Sequence, residues 1–537
     1  MDARRNIVAS LLLLLSFLDY ARGDDLLSCL SSGGVRNFTT YYTGDYLQLL
    51  QLSIQNLRYA KPFVNKPVAL ILPENKEQVA AAIRCSTRGS WLIRLRSGGH
   101  SFEGLSSRAD VPFVLIDLMN LNKISTDLDA ETAWVESGAT LGEIYHAIAT
   151  SSKKHGFSGG MCPTTGSGGH ISGGGYGALV RKYGLASDNV VDAILVDAEG
   201  RLIDRKAMGE DVFWAIRGGG GGNWGAVVAW KIRMLRVPET VTAFRVSRNG
   251  SPSEMAKLLH KWQLIASKLE DDFFLQLLVL PGGNQSQSAS ISIFFAGMYL
   301  GPKASTLAIA NRAFPELNLK AQECIETSWA NALILIRGDE AVQTVEDLKN
   351  RYTYRKTFTK AKSDYVKYPI PLFALEKALN LVARQTKASV LLDPHGGFTG
   401  RVRSDATPFP HRAGTIFGIE YYVDWNEEDD ANGPQYIEGL QTLYEYMTPF
   451  VSKNPRGSYV NSVDLDLGML DWTDQKLSGS KAVEVARKWG EKYFMGNYDR
   501  LVRAKTLIDP NNVFRHPQSI PPLGIHEEML KCKFNLR

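Results

Sequence analysis

Two side chains able to act as nucleophiles, His100 and Cys162, each sit inside a glycine-rich segment. The first reads Arg96-Ser-Gly-Gly-His-Ser-Phe-Glu-Gly-Leu105. The second reads Gly159-Gly-Met-Cys-Pro-Thr-Thr-Gly-Ser-Gly-Gly-His-Ile-Ser-Gly-Gly-Gly-Tyr-Gly177. A neutral imidazole and a thiolate both add to electrophilic carbon. Glycine lets backbone approach a ligand closely, and successive exposed N–H groups form a concavity for phosphate oxygens. The interleaved His, Cys, Tyr and Thr argue against a flexible linker. Neither segment has the strand–GxGxxG–helix context of a dinucleotide fingerprint or a Walker lysine, so a nucleotide bound here belongs to another fold. A third candidate is Glu420, in the apolar run Phe417-Gly-Ile-Glu-Tyr-Tyr-Val-Asp-Trp425. In a strand Gly418, Glu420 and Tyr422 share one face. A carboxylate on such a face is costly unless paired or functional, which leaves a proton-abstracting base and a salt-bridged structural residue as the two readings.

These residues need a scaffold of strands and helices. Residues 67–72, Trp91–Arg96, Phe113–Asp117 and Thr132–Glu136 read as strands, with helices over Glu77–Cys85 and Leu141–Ser151. Beyond Thr242 the strands Phe273–Leu280, Ile291–Tyr299 and Gly414–Trp425 alternate with helices such as Pro302–Phe314, as expected of a sheet layered against helices. The tail from Ala482 to Pro522 reads as helix followed by turns. A chain of 537 residues exceeds one ordinary core, so two or three lobes of an α+β fold are expected. The net charge of +5 is small, no basic stripe appears, and nucleic acid is excluded as a partner. The histidines lack metal-ligand spacing such as HExxH, so no metal is expected.

Arg4 and Arg5 followed by the apolar run Ile7–Leu18 and small residues at Ala21 and Gly23 predict a signal peptide over residues 1–23. The run is too short to span a bilayer, so a secreted or vacuolar chain free of the membrane is expected. Sequons at Asn37, Asn249 and Asn284 fit a glycoprotein. Five cysteines, an odd number, leave at least one thiol outside disulfides in an oxidising compartment. No amphipathic stretch marks an interface, and a monomer is expected.

The glycine segments also carry a resemblance. The chain is similar to the plant berberine bridge enzyme-like proteins of the vanillyl-alcohol oxidase superfamily, which have a PCMH-type FAD-binding domain. Arg96-Ser-Gly-Gly-His100 matches their histidyl-flavin loop and Gly160-Met-Cys162-Pro-Thr their cysteinyl-flavin loop. Tyr183–Asn189, Phe213–Gly220, Lys492–Tyr498 and Asp509–Phe514 match further motifs, over roughly residues 26–523. The resemblance implies an FAD-binding domain over 24–238, a substrate-binding domain with an antiparallel sheet backed by helices over 239–475, and a segment 476–537 that completes the FAD site. It implies FAD linked through its 8α carbon to His100 and through C6 to Cys162. Arg96, Ser97, Gly98, Gly99, Ser101, Thr165, Gly166, Gly168, Gly169, Asn497 and Tyr498 would contact the cofactor. It pairs Cys29 with Cys85 and leaves Cys324 and Cys532 without a role. It makes Tyr176 an active-site tyrosine.

The expected activity is an oxidase that moves hydride to flavin N5 and reacts with O2 to give H2O2, Thr165 standing where the family gates oxygen. Three departures bear on mechanism. Ser462 replaces the Tyr or His of many relatives and shifts the base to Glu420, Met161 replaces an aromatic ring of some relatives, and His395 replaces a common Tyr. A less aromatic pocket, with Tyr422, Ser462 and Met161 against the substrate and faces from Phe102, Tyr421 and Tyr422, favours an oligosaccharide reducing end oxidised to a lactone. The alternative substrate is a monolignol or an alkaloid-type aromatic. A different class, a non-catalytic secreted flavoprotein of allergen type, is opposed by the intact attachment residues.

Overall fold

The computed structural model describes residues 23–282, 289–352, 355–474 and 476–524. The predicted leader, apart from Gly23, lies outside the described residues, as do Asn284 and Cys532. Mixed sheets and helices form the expected α+β architecture.

Ala69–Ile71, Phe113–Asp117 and Leu92–Arg96 are parallel neighbours, with Phe38–Thr40 added antiparallel at one edge. Phe113–Asp117 is buried throughout, as a strand covered on both faces requires. Leu92–Arg96 ends directly at Ser97-Gly-Gly-His100, so the histidine loop leaves the carboxyl end of a parallel strand, where open α/β sheets bind ligands. Helix Lys76–Arg88 extends the predicted Glu77–Cys85 at both ends; the Asn75 side chain caps its start, accepting from Gln78 N at 2.9 Å, and Gly89 N donates to Cys85 O at its end. Its Cys85 forms the expected disulfide with Cys29, Cα atoms 5.7 Å apart. Cys324 is a buried free thiol, pushed up to about 11 by burial.

A second, antiparallel sheet orders Ile124–Asp127, Thr132–Glu136, Ala226–Arg233, Val190–Val196 and Leu202–Ile203. Helix Leu141–Ser151 follows it, opened by a Thr140/Glu143 capping box. The tail forms helices Gly479–Phe494 and Tyr498–Ile508. Their Trp489, Tyr493 and Leu501 share one core with Phe213, Trp214 and Trp230, so the chain's end packs back onto its first half.

The third sheet has seven strands, all antiparallel. Their order is Ile325–Thr327, Val241–Gly250, Ile291–Tyr299, Phe273–Pro281, Ala388–Pro394, Phe417–Trp425 and Phe358–Val366. The last apolar strand begins at Phe417 rather than Gly414, because Gly414 takes a φ of +78° in the turn before it. Helices Pro252–Ile265, Leu372–Ala383 and Gly433–Met447 cover one face through Trp262, Leu379 and Leu440. The other face is turned toward the first two sheets.

A buried ionic chain fixes that arrangement. Lys360 Nζ lies 2.5 Å from Glu103 Oε1 and 2.8 Å from Asp464 Oδ1. Lys362 Nζ lies 2.8 Å from Asp464 Oδ2 and 2.6 Å from Asp466 Oδ2. Glu103 belongs to the His100 loop and Asp464 follows Ser462 by two residues, so one strand pins both segments. Removing one partner of such a group leaves uncompensated buried charge. Lys360→Met is expected to lower unfolding stability by about 3–5 kcal/mol. Lys61→Met, at the partly exposed pair with Asp430, is expected to cost about 1 kcal/mol or less. Urea unfolding of the two variants checks this, and equal losses would contradict it.

Candidate active site

A cavity of about 770 Å³ runs between the two glycine-rich segments and the open face of the seven-stranded sheet. On the glycine side the segments meet backbone to backbone. A Cβ added at Gly98 would lie 2.3 Å from Gly166 N, and one at Gly166 would lie 2.1 Å from Ser97 Oγ. Only glycine fits either position. Leu141 N donates to Thr165 O at 2.9 Å and Ser167 N to Ala139 O at 2.8 Å, tying the Cys162 segment to the start of helix Leu141–Ser151.

This contact brings the two nucleophiles together. His100 Nε2 lies 2.9 Å from Thr164 Oγ1, and the same hydroxyl lies 3.6 Å from Cys162 Sγ. His100 is pushed down to about 4, first by burial and then by the Arg337 guanidinium, so it is neutral and nucleophilic at neutral pH. Arg337 donates to Met161 O at 3.3 Å and pairs with Asp339 at 3.0 Å. Burial alone would depress it, but the Cys162 sulfur and Asp339 more than offset that and hold it above the usual range. A fixed cation therefore stands beside the thiol. His170, also neutral and pushed down to about 4 by burial, accepts from Gly160 N at 2.9 Å and orients the Cys162 loop.

The same region fits a dinucleotide. Gly169 lines the cavity, and a Cβ there would meet nothing within 4 Å; at Gly221 the nearest atom is 3.7 Å away. These positions form a cradle that side chains would fill, which is what phosphate groups against backbone N–H require.

On the sheet side, Glu420 accepts hydrogen bonds from the hydroxyls of Ser462 and Tyr422. Burial pushes its carboxyl upward while these two donors pull it back. Asp393 lies on the adjacent strand, its Oδ1 accepting from Gln276 Nε2 at 2.5 Å. Phe102 and Tyr422 form an aromatic pair with ring centroids 5.6 Å apart.

Residues 67–205 match the family model for an FAD binding domain, and residues 458–521 match the model for berberine and berberine-like proteins. Reticuline oxidase from Eschscholzia californica is 51% identical, covering 98% of this chain and 97% of its own length. The monolignol oxidoreductase AtBBE-like 13 from Arabidopsis thaliana is 41% identical, covering 96% of this chain and 97% of its own. The solved structure of berberine bridge enzyme from Eschscholzia californica superposes with a TM-score of 0.90 at 50% identity, covering 93% of this chain and 99% of that one.

The chain belongs to the berberine bridge enzyme-like family. It is accordingly an FAD-linked oxidoreductase, and its two lobes have the family architecture. Of the residues expected to contact the cofactor, Ser97, Gly98, Gly99, His100, Ser101, Cys162, Thr165, Gly166, Gly168 and Gly169 all line the cavity, as do Met161, Tyr176, Glu420, Tyr422 and Ser462. Arg96 borders the cavity, but its guanidinium is committed to Asp117 at 2.7 Å and Leu50 O at 2.8 Å, so its part is structural. Tyr176 donates its hydroxyl to Pro394 O, and burial pushes it well above the usual tyrosine range, so it is a fixed donor rather than a base.

Asn497 and Tyr498 correct the sequence reading. Neither lines the cavity. Asn497 Nδ2 donates to Ser404 O at 2.7 Å, and Tyr498 OH donates to Val483 O at 2.9 Å between the C-terminal helices. The tail reaches the cavity through Tyr493, Phe494, Phe514, His516, Gln518 and Ile520 instead. Tyr421 points to the opposite face, onto Asp364 at 3.0 Å, as strand alternation requires. His395 sits behind the wall, stacked on Tyr176 at 5.2 Å. Thr164, His170, Gln276, Arg337 and Asp393 went unnoticed in the sequence. Thr164 and His170 lie within the glycine segment, whereas the other three carry no local motif.

Gly169→Leu is expected to fill the cradle without meeting protein atoms. Its melting temperature without flavin should match wild type, while the flavin content of the purified protein should fall below about one tenth. Full flavin loading would contradict the cradle.

Proposed function

We propose that the protein is an oxidase in which Glu420 takes the hydroxyl or phenol proton of an aromatic substrate while a neighbouring C–H bond gives up hydride. When bound, FAD would supply the hydride acceptor and the route for electrons to O2. His100 and Cys162 would hold it by two covalent bonds. The observation that carries the reading is the Glu420 carboxylate, held on the cavity face by the Ser462 and Tyr422 hydroxyls. Two donors keep the carboxylate oriented, and burial raises its basicity.

The rest of the cavity supports an aromatic substrate over the oligosaccharide favoured by the sequence alone. Phe102, Met161, Leu278, Phe294, Ile336 and Leu391 give it apolar walls. Its polar groups are largely committed to protein partners: Gln276 to Asp393, Arg337 to Asp339, and Arg245 over the Phe294 ring at 4.4 Å. A sugar needs many free donors and acceptors, whereas a planar ring needs walls and one base. The reticuline and monolignol activities of the two relatives are of that kind. Thr165, beside Cys162, is close in shape to valine and leaves room for O2. A location in the secretory pathway accords with the Cys29–Cys85 disulfide and with exposed Asn37 and Asn249.

Glu420→Gln is expected to slow substrate oxidation by about 10²–10⁴-fold while the protein stays yellow. Anaerobic bleaching by reticuline or coniferyl alcohol but not by cellobiose is the expected panel result. Bleaching by cellobiose alone would restore the sugar reading, and bleaching by none would favour a non-catalytic flavoprotein. Wild-type rates in Glu420→Gln would remove Glu420 as the base.

A further inference from the structure

Glu420 does not stand alone on its face. In the antiparallel register Leu391 lies opposite Glu420 and Asp393 opposite Gly418. Directly opposed residues share a face, so Asp393 and Glu420 are diagonal neighbours on the cavity side. Gly418 leaves the space between them open: a Cβ there would meet nothing nearer than Tyr365 at 3.6 Å. Both carboxyls line the cavity, and among the described residues neither has a cation within ion-pair distance.

The charge of one buried carboxyl disfavours ionisation of its neighbour, and here no cation offsets that effect. Hydrogen bonding decides which of the two is charged. Glu420 receives two O–H donors, which favour its charged form. Asp393 receives only the Gln276 N–H, on Oδ1, and no described protein group bonds its Oδ2. The charge therefore belongs to Glu420 and the proton to Asp393. Burial, and then the Glu420 charge, raise Asp393 to about 8.

The other groups around the pair stay fixed through neutral pH. Tyr422 on the same strand, Tyr365 on Phe358–Val366, Tyr459 three residues before Ser462 and Tyr176 from the FAD lobe are all raised by burial and remain protonated. His395, beyond Gly418, is pushed down to about 3 and remains neutral. Asp424, further along the strand, is raised by burial and held by the Thr359 hydroxyl. Thr359, Ser363, Gln276 and Ser462 do not titrate. Arg245 lies over Phe294, and Arg337 is paired with Asp339.

We propose that Asp393 is a substrate-orienting acid: kept neutral by its ionised neighbour, it donates a hydrogen bond from its free oxygen to a substrate oxygen, which sets the substrate against Glu420. This rests on Glu420 being the base. The donor is present below the Asp393 transition and is lost as pH rises through it.

The test is binding of benzyl alcohol, which does not itself titrate, to the holoenzyme, followed by the change in flavin absorbance from pH 6 to 10. Wild type should bind with a constant Kd up to about pH 8, then weaken by about fivefold or more as Asp393 loses its proton, and level off above that transition. Asp393→Asn keeps a donor but cannot ionise, and its Kd should stay flat. Asp393→Ala should bind about fivefold or more weakly across the low-pH plateau, as loss of one hydrogen bond predicts. In Glu420→Gln the weakening should begin at lower pH, because the charge that holds the Asp393 proton is gone. An alkaline rise in Asp393→Asn equal to wild type, or no binding by wild type, would overturn the proposal. Failure of Glu420 as the base would show separately, as wild-type turnover in Glu420→Gln with the Asp393 variants behaving as stated.

Discussion

The site depends on one steric fact: two glycine-rich segments, far apart in sequence, touch where neither can carry a Cβ. Gly98 and Gly166 close that contact. Because it is backbone against backbone, it has little freedom to slide, and it sets His100 and Cys162 around the single hydroxyl of Thr164. A side chain at either glycine would force the two segments apart. Reactivity then follows from surroundings already fixed by the fold. Burial and Arg337 keep the imidazole neutral, and the same guanidinium stands beside the thiol.

The opposite wall comes from a sheet that is not continuous in sequence with these loops, so something must hold the two in register. The chain of Glu103, Lys360, Asp464 and Lys362 does this, tying the histidine loop and the Ser462 segment to one strand. Ion chains of this kind add little net stability compared with apolar packing, but they tolerate only one arrangement. That intolerance suits a cavity whose two walls come from different lobes. The returning C-terminal helices add the remaining wall through Tyr493, Phe514 and Gln518.

The parts readable from sequence were those carried by local rules. Glycine spacing around His100 and Cys162 marked the cofactor loops, and strand alternation put Glu420 and Tyr422 on one face. The ends of Phe113–Asp117, Thr132–Glu136 and Leu141–Ser151 follow from periodicity and capping and agree with the structure. Asn497 and Tyr498 were misplaced because a motif match gives position along the chain and not the direction of a side chain; both turn into the packing of the C-terminal helices. Asp393 and Gln276 were invisible for a different reason. They come to the same face as Glu420 only because strand Ala388–Pro394 lies between Phe273–Pro281 and Phe417–Trp425, and no local pattern specifies that order. Arg337, at the end of a helix remote in sequence from Cys162, depends likewise on tertiary packing. The preference for a sugar substrate rested on single replacements such as Met161, whereas the proposal of an aromatic one rests on the apolar wall as a whole.

The central claim is that one flavin is held at two points, by an imidazole and a thiolate that the glycine contact brings together. Proteolysis of the denatured protein followed by mass spectrometry tests it most directly. The account predicts a single species in which one FAD mass joins the peptide containing His100 to the peptide containing Cys162, and loss of that cross-link when either residue is alanine. Recovery of free FAD, or of both peptides unmodified from yellow wild-type protein, would contradict it.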